Sequence, residues 1–521
     1  MKMNKITYTL LLFFVISGGL FAQGEIEAYN FSRKNISGTA RSMGMGGAFG
    51  ALGGDQTGIS INPAGIAVYR SSEIVGTFDL SNNTSKVGNL KESVTDRALS
   101  NLGFVGYFPL RSDAVPLVNF GFTHHRQKSF SRKISAVGAP NNSLLYYIAD
   151  RVNKYNDENP NHLATPEKLW KTEDYNPFAD SYPWLGVLAY NSYLIKESTN
   201  NAYIPFTDEA VRNDLYLTES GYIDNYDFTI GTTINNKLNL GLALSVSSLS
   251  YNLYSDYRED FVNAGHYYLT NWMNTTGSGF SAKVGAIYRP IHELRIGVAY
   301  HTSTWYSLTD MFSAETTDEL SNAPVPDYKP ATIQSGTATN YYNLTTPDKW
   351  VFSVATVLGN RFIASLDYEI TDYSKMKLST SNDNGWYDPD NGYISEDFKT
   401  ASTLRLGGEY RLTPKFSGRL GYAWIQNPYN SDFKEKGYAA VSGTNTVYRM
   451  EGNTSLYTGG IGYRFNANFF LDVALVYTTQ KDDLYSFPSV YNDQNQLFID
   501  GSPFSLDYSS WKGLVTLGYK F

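Results

Sequence analysis

The strongest constraint on this chain is a strict two-residue alternation that recurs in segment after segment. In TLRLGGEYRL, Leu404, Leu406, Tyr410 and Leu412 share one face, and Arg405, Gly407, Glu409 and Arg411 share the other. FIASLDYEIT sets Phe362, Ala364, Leu366, Tyr368 and Ile370 against Ser365, Asp367, Glu369 and Thr371. LRIGVAYHT sets Leu294, Ile296, Val298 and Tyr300 against Arg295, Gly297 and His301. Such alternation is the period of a strand with two unlike faces. A soluble sandwich alternates too. Here the polar faces carry charges and glycines, as a wet or plugged lumen does, and aromatics close many apolar faces, as a membrane girdle does.

The connections sharpen the reading. About 14 such segments run from Glu73–Ser81 to Leu514–Phe521, an even number within the bacterial barrel range. Short links rich in turn residues (INNK, RPIHE, LGN, LTPK, NAN) alternate with long polar ones. Outer-membrane barrels have short periplasmic turns and long external loops. A sandwich has no reason to sort its loops this way. The last segment, WKGLVTLGYKF, aligns Trp511, Val515, Leu517, Tyr519 and Phe521 on one face. Its terminal Phe resembles the signal read by the outer-membrane barrel assembly machinery.

The N-terminus fits export. Lys2 and Lys5 precede an apolar run from Ile6 to Gly19, and Ala22 offers a small residue for cleavage, so residues 1–22 read as a signal peptide. The sequence has no cysteine, which excludes disulfides and thiol chemistry. Without Lys2 and Lys5, 40 basic side chains face 50 acidic ones, a net charge of −10 that argues against nucleic acid. Tyrosine, at 42 residues, suits a water–lipid interface.

Residues 23–72 precede the first strand and hold the glycine-dense stretch SMGMGGAFGALGGDQTGISINPAG, Ser42 to Gly65. A barrel of about 14 strands is too wide for its own side chains to fill. Irregular backbone cannot face lipid. The segment is therefore expected inside the barrel, with glycine permitting sharp turns and close approach to the wall, and a flexible periplasmic linker is the alternative. Inward-facing Gly407, Gly297, Gly462 and Gly518 would leave it room.

SGTARSMGMGGAFGALGGDQTGISINPAG resembles the N-terminal hatch of the FadL/TodX family of outer-membrane hydrophobic-compound transporters. The matching residues are Ser37, Gly38, Arg41, the Gly–Ala step at Gly47 and Ala48, Asp55 and the triplet Asn62-Pro63-Ala64, and the resemblance makes Arg41, Gly46, Gly47, Asp55, Asn62, Pro63 and Ala64 candidates for hatch structure and gating. The resemblance implies an all-β, single-chain transmembrane barrel of about 14 antiparallel strands, residues 73–521, with a lumenal hatch at 23–72. It implies a monomer in the outer membrane of a Gram-negative bacterium, among lipids and lipopolysaccharide. Its function would be passive, hatch-gated uptake of long-chain fatty acids or aromatic hydrocarbons. No cofactor, metal or catalysis is expected. The family places a lateral opening in its third strand, and Gly121 in LVNFGFTHHRQ is the matching candidate, with a plain lumen-facing glycine as the alternative. A non-specific porin or an adhesin-like surface barrel is the alternative.

The longest loop, about Ser131 to Gly221, places Leu144, Leu145 and Ile148 at helical spacing, and Trp184, Leu185 and Leu188 in a second apolar run. These six are candidates for a hydrophobic capture groove, or for the core of a lid. NDNGWYDPDNG reads as a solvated turn rather than a calcium loop. His124 and His125 point to opposite faces of a strand and do not chelate together.

Overall fold

The structure, a computed structural model, describes residues 24–180, 182–198, 202–207, 210–321, 328–359, 361–382, 384–439, 441, 443–492 and 494–521. The signal-peptide reading of residues 1–22 and Asp383 lie outside the described residues.

Fourteen antiparallel strands close a barrel. They are β1 (Glu73–Val87), β2 (Leu90–Pro109), β3 (Leu117–Ser129), β4 (Ala210–Ile234), β5 (Leu238–Phe261), β6 (Gly265–Tyr288) and β7 (Leu294–His301), followed by β8 (Lys349–Leu358), β9 (Phe362–Asp372), β10 (Thr400–Arg411), β11 (Phe416–Ile425), β12 (Thr454–Arg464), β13 (Phe469–Tyr485) and β14 (Phe504–Lys520). Each pairs with the next, and β1 closes on β14 from Glu73↔Lys520 to Val87↔Leu506. Closure leaves the lower sheet without an edge, so the paired backbone there is satisfied in lipid.

Several strands run far past their expected ends. Sequence alternation predicts starts at Asn101, Tyr222 and Phe280, whereas β2 begins at Leu90, β4 at Ala210 and β6 at Gly265. On β4, β5 and β6 the cause is an inversion of polarity along the strand, whereas the added part of β2 is largely polar on both faces. On β5, Leu240, Leu242, Leu244 and Val246 face outward and are exposed. Higher up, Leu249, Tyr251, Leu253 and Tyr257 face inward and are buried. Lipid sets the lower pattern and a packed lid the upper one.

The link between β3 and β4 is accordingly shorter than Ser131–Gly221 and carries its own structure. A strand, Arg132–Gly138, pairs with β4, and helices Leu144–Glu158 and Trp184–Asn191 follow. A further strand, Trp305–Leu320, lies in the link between β7 and β8 where alternation predicts none, and continues the line of β7 along β6. These pieces and the upper strand faces share one apolar core over the long-loop mouth.

Residues 24–72 fill the lumen as helices Glu25–Ser32, Ala40–Met43 and Gln56–Ile61 and the 3-10 turn Pro63–Val68. Tyr29 packs on Tyr373, Phe398 and Tyr429, with centroids 5.4–5.5 Å apart. Phe31 packs on Phe130 and Tyr251.

Candidate functional site

The hatch meets the wall where the wall has no side chains. A Cβ at Gly407 would lie 2.3 Å from Met45 O, one at Gly421 2.1 Å from Gly46 N, and one at Gly241 2.2 Å from the Pro63 carbonyl carbon. Gly297 likewise faces Gly50 and Ala51. Gly462 and Gly518, expected to make room for the hatch, instead face Asp472 and Arg419, and Phe470, respectively. Their neighbours belong to the wall. Gly46 and Gly47 have φ of +64° and +76°, a region that favours glycine, and this turns the chain against β10 and β11.

Asn62-Pro63-Ala64 is a second anchor. The Asn62 side chain accepts the Ala64 N–H at 3.1 Å and donates to Gly50 O at 2.9 Å. It also reaches wall carbonyls at Ala286 (3.2 Å) and Val298 (3.4 Å). Pro63 opens the 3-10 turn, where its missing N–H costs nothing. Buried donors and acceptors left unpaired cost roughly 1–3 kcal/mol. Asn62→Ala is therefore expected to speed hydrogen exchange across residues 39–68 at least tenfold, with heat-modifiable migration of the barrel unchanged. Equal exchange in the variant would make the triplet idle.

Ion pairs hold the hatch at the short-turn end. Arg41 donates to both Glu409 oxygens at 2.9 and 3.1 Å. Glu409 also accepts from Arg419 at 2.7 Å, and Arg419 donates to Asp472 at 2.6 Å. Asp55 works within the hatch, accepting from the Thr39 hydroxyl and the Thr57 N–H at 2.9 Å and capping helix Gln56–Ile61. At the other end Arg33 pairs with Glu451. The structure thus brings Arg41, Gly46, Gly47, Asp55, Asn62, Pro63 and Ala64 together as docking and folding elements of one plug.

A polar cavity lies between the hatch and the wall. Lys34, Ser60, Asn101, His125, Lys283, His301, Lys349, Glu369 and Arg405 line it. Two carboxylates nearby are already engaged. Asp227 pairs with Lys283 at 2.7 Å, and Glu369 pairs with Lys349 at 3.1 Å and Arg405 at 2.5 Å. Lys34 has no ion pair among the described residues, and both side-chain polar atoms of buried Asn101 lack a partner. Burial pushes the Lys34 ammonium down to about 7, helped by the like charges of Lys349 and Lys283. His301 donates from Nε2 to Ile61 O at 2.8 Å, and His125 Nδ1 lies 3.3 Å from Ser60 Oγ. The period-2 polar face already marked Arg405 and Glu369. Lys34 and Asn101 carried no periodic signal, because one lies in irregular backbone and the other follows a bulge.

That bulge marks a break in the wall. β2 and β3 pair from Pro109↔Leu117 up to Asn101↔His125 and no further. Above that level β2 pairs only with β1, and β3 with β4. Register shifts leave Ser100 unmatched in β2 and Gln127 unmatched in β3. A side-chain bond, Ser129 Oγ to Asp96 at 2.6 Å, spans the gap in place of backbone pairing. Asn101, His125 and Gln127 line both the cavity and the foot of this break. Gly121 lies lower, paired on both sides with Val105 and Thr229. Its absent side chain makes room for Ile66 of the hatch.

The six lid candidates form no open groove. Leu144, Leu145, Ile148, Trp184, Leu185 and Leu188 are at most 6% exposed. The helices that carry them pack on each other at Gly186 and Val152, so these side chains are the lid's own core. The stretch expected as a solvated turn ends in a helix, Asp388–Asp397, whose Ile394 is buried. The Pro at its N-terminal end pre-sets a helical φ. Among the described residues no cluster of His, Asp or Glu is arranged to hold a metal ion.

A family model described as outer membrane protein transport protein (OMPP1/FadL/TodX) matches residues 222–521. A 47 kDa outer membrane protein of Pasteurella multocida is 23% identical over 209 residues, covering 40% of this chain and 45% of that protein. The match thus spans less than half the length of that relative. A Pseudomonas aeruginosa FadL homologue of known structure superposes with a TM-score of 0.50 at 13% identity, over 93% of this chain and 98% of that one. A deletion mutant of the TodX monoaromatic hydrocarbon channel gives 0.50 at 10% identity, over 93% and 98%.

Proposed function

We propose a cargo for this chain, which belongs to the OMPP1/FadL/TodX family of outer membrane transport proteins: hydrophobic molecules that carry one anionic head group, long-chain carboxylates above all. The observation that carries the reading is the cavity at the hatch. Its lining is basic, it holds an unpaired Lys34 and an unpaired Asn101, and its nearby carboxylates are occupied. Unpaired buried donors favour an anion, and a charge-assisted bond is stronger than a neutral one. A plain hydrocarbon would gain nothing from these groups and would strand them. In this reading transport is passive, the hatch is the gate, and the protein catalyses no reaction. Uptake of a long-chain carboxylate and of the alcohol of equal length by the same cells tests the cargo. The carboxylate is expected to move at least tenfold faster, and equal rates would overturn the assignment.

The break between β2 and β3 supports a lateral exit beside the cavity. Exposed Leu99 and Leu102 put its foot against lipid. Each CH₂ leaving water gains about 0.8 kcal/mol, so an alkyl tail moves sideways into the bilayer rather than into the periplasm. Gly121, within unbroken pairing, serves hatch docking in this scheme, and the opening lies above it. Because the chain lacks cysteine, Asp96→Cys with Ser129→Cys gives a clean pair for a short bifunctional reagent. Cross-linking is expected to slow carboxylate uptake at least fivefold, and reduction of a cleavable linker to restore it. Undiminished uptake after full cross-linking would place the exit elsewhere.

A further inference from the structure

The outward faces of the upper strands form tiers. The lipid-facing band ends at Val246, Phe280 and Trp305, which neighbour one another across three strands. Above them the outward positions of β5 and β6 are Ser248, Ser250 and Asn252, and Ser278, Thr276 and Asn274. No charge stands among these. Then comes an oblique aromatic row. Tyr254 lies opposite Trp272, with centroids 5.8 Å apart, and Tyr216 lies 6.3 Å from Tyr254. Met311 and Tyr341 continue it, and Trp272, Met311 and Tyr341 are 39%, 47% and 72% exposed.

The row has no packing role to explain it. Its inward neighbours, Leu253, Met273, Phe312 and Tyr342, make the lid core, whereas the row itself turns to solvent. Tyr341, opposite Thr309, stands four residues beyond Trp305, and Tyr254 and Trp272 stand eight beyond Val246 and Phe280 on β5 and β6. That is about 26 Å along a strand, or roughly 20 Å of height at the usual tilt. The face is continuous below with the lipid-facing band. An aromatic ring with a polar tip suits a half-wet partner, and the serine, threonine and asparagine tier supplies hydrogen bonds without charge. The nearest cation above on β5, Arg258, is paired with Asp260 at 2.7 Å and is not free for a phosphate.

We propose that this row binds the neutral saccharide of an outer-leaflet glycolipid, with Trp272 and Tyr341 stacking on sugar rings while the acyl chains lie on the band below. The test uses the full-length protein in nanodiscs, titrated with glycolipid bearing its full saccharide and with glycolipid trimmed to its lipid anchor. The intact protein is expected to bind the full form at least fivefold more tightly. The double variant Trp272→Ser with Tyr341→Ser should bind both forms equally and keep its heat-modifiable migration and carboxylate uptake. Equal binding of the two forms by the intact protein, or an unchanged preference in the variant, would overturn the proposal. So would loss of a dimer in the variant by light scattering with no change in glycolipid affinity, which would assign the row to a second copy of the chain.

Discussion

Removal of Gly24–Gly65 is expected to turn a nearly silent barrel into a conducting one, with single-channel conductance in planar bilayers up by an order of magnitude or more. A ring of 14 strands leaves a lumen that its own side chains do not fill. Here the remainder is hatch. Met45, Phe49, Ala51 and Ile59 are fully buried against it. The deletion also removes Tyr29 and Phe31, which plug the space beneath the lid. The wall itself should survive, since its strand pairing is closed without the hatch. The measurement needs a control for folding, which heat-modifiable migration supplies. An intact protein that already conducts like an open porin would sink the plug assignment. A deleted protein that folds and stays shut would move the seal to the lid.

How much of this could be read from residues alone depended on where each strand met lipid. Below the band's rim, outward Leu404, Leu406 and Tyr410 alternate with inward Arg405 and Glu409, and that phase is visible in the sequence. Above the rim the phase inverts, because the lid core replaces water on the inside and water replaces lipid on the outside. The change of phase on β5 falls near Ser247, and there the pattern looks like a strand ending. Trp305–Leu320 gives no membrane-strand signal for the same reason: beyond Trp305 its apolar residues, Met311 apart, face the lid rather than the membrane. The hatch was legible through its motif, and Arg41, Asp55 and Asn62 all hold it in place. The cavity was not. Its cations come from irregular backbone and from β6, β8 and β10, and only closure of the barrel brings them together.

Lys34→Met is expected to cut uptake of a long-chain carboxylate about tenfold while leaving the matched alcohol unchanged. The size follows from one charge-assisted bond, roughly 1.5–3 kcal/mol, with about 1.4 kcal/mol for each factor of ten. Proton linkage gives the sign of a pH effect. Burial, then the like charges of Lys349 and Lys283, hold Lys34 near 7, against the opposing pull of Glu369 and Asp227. The docked, empty hatch therefore binds fewer protons at Lys34 than an undocked one. Docking of the empty hatch strengthens as pH rises from about 7 toward the ordinary lysine value, and below about 7 it carries the full cost of a buried ammonium. A carboxylate in the cavity supplies the missing counter-charge and draws a proton back onto Lys34. Its affinity should thus fall as pH rises through about 7, where a free carboxylate is already ionised. His125, His301 and Arg405 also face the cavity, so the control is Lys34→Arg, which stays charged throughout. That variant should keep carboxylate uptake at neutral pH and lose the decline at high pH. If Lys34→Met transports carboxylate and alcohol in the wild-type ratio at every pH, the cavity does not read the head group.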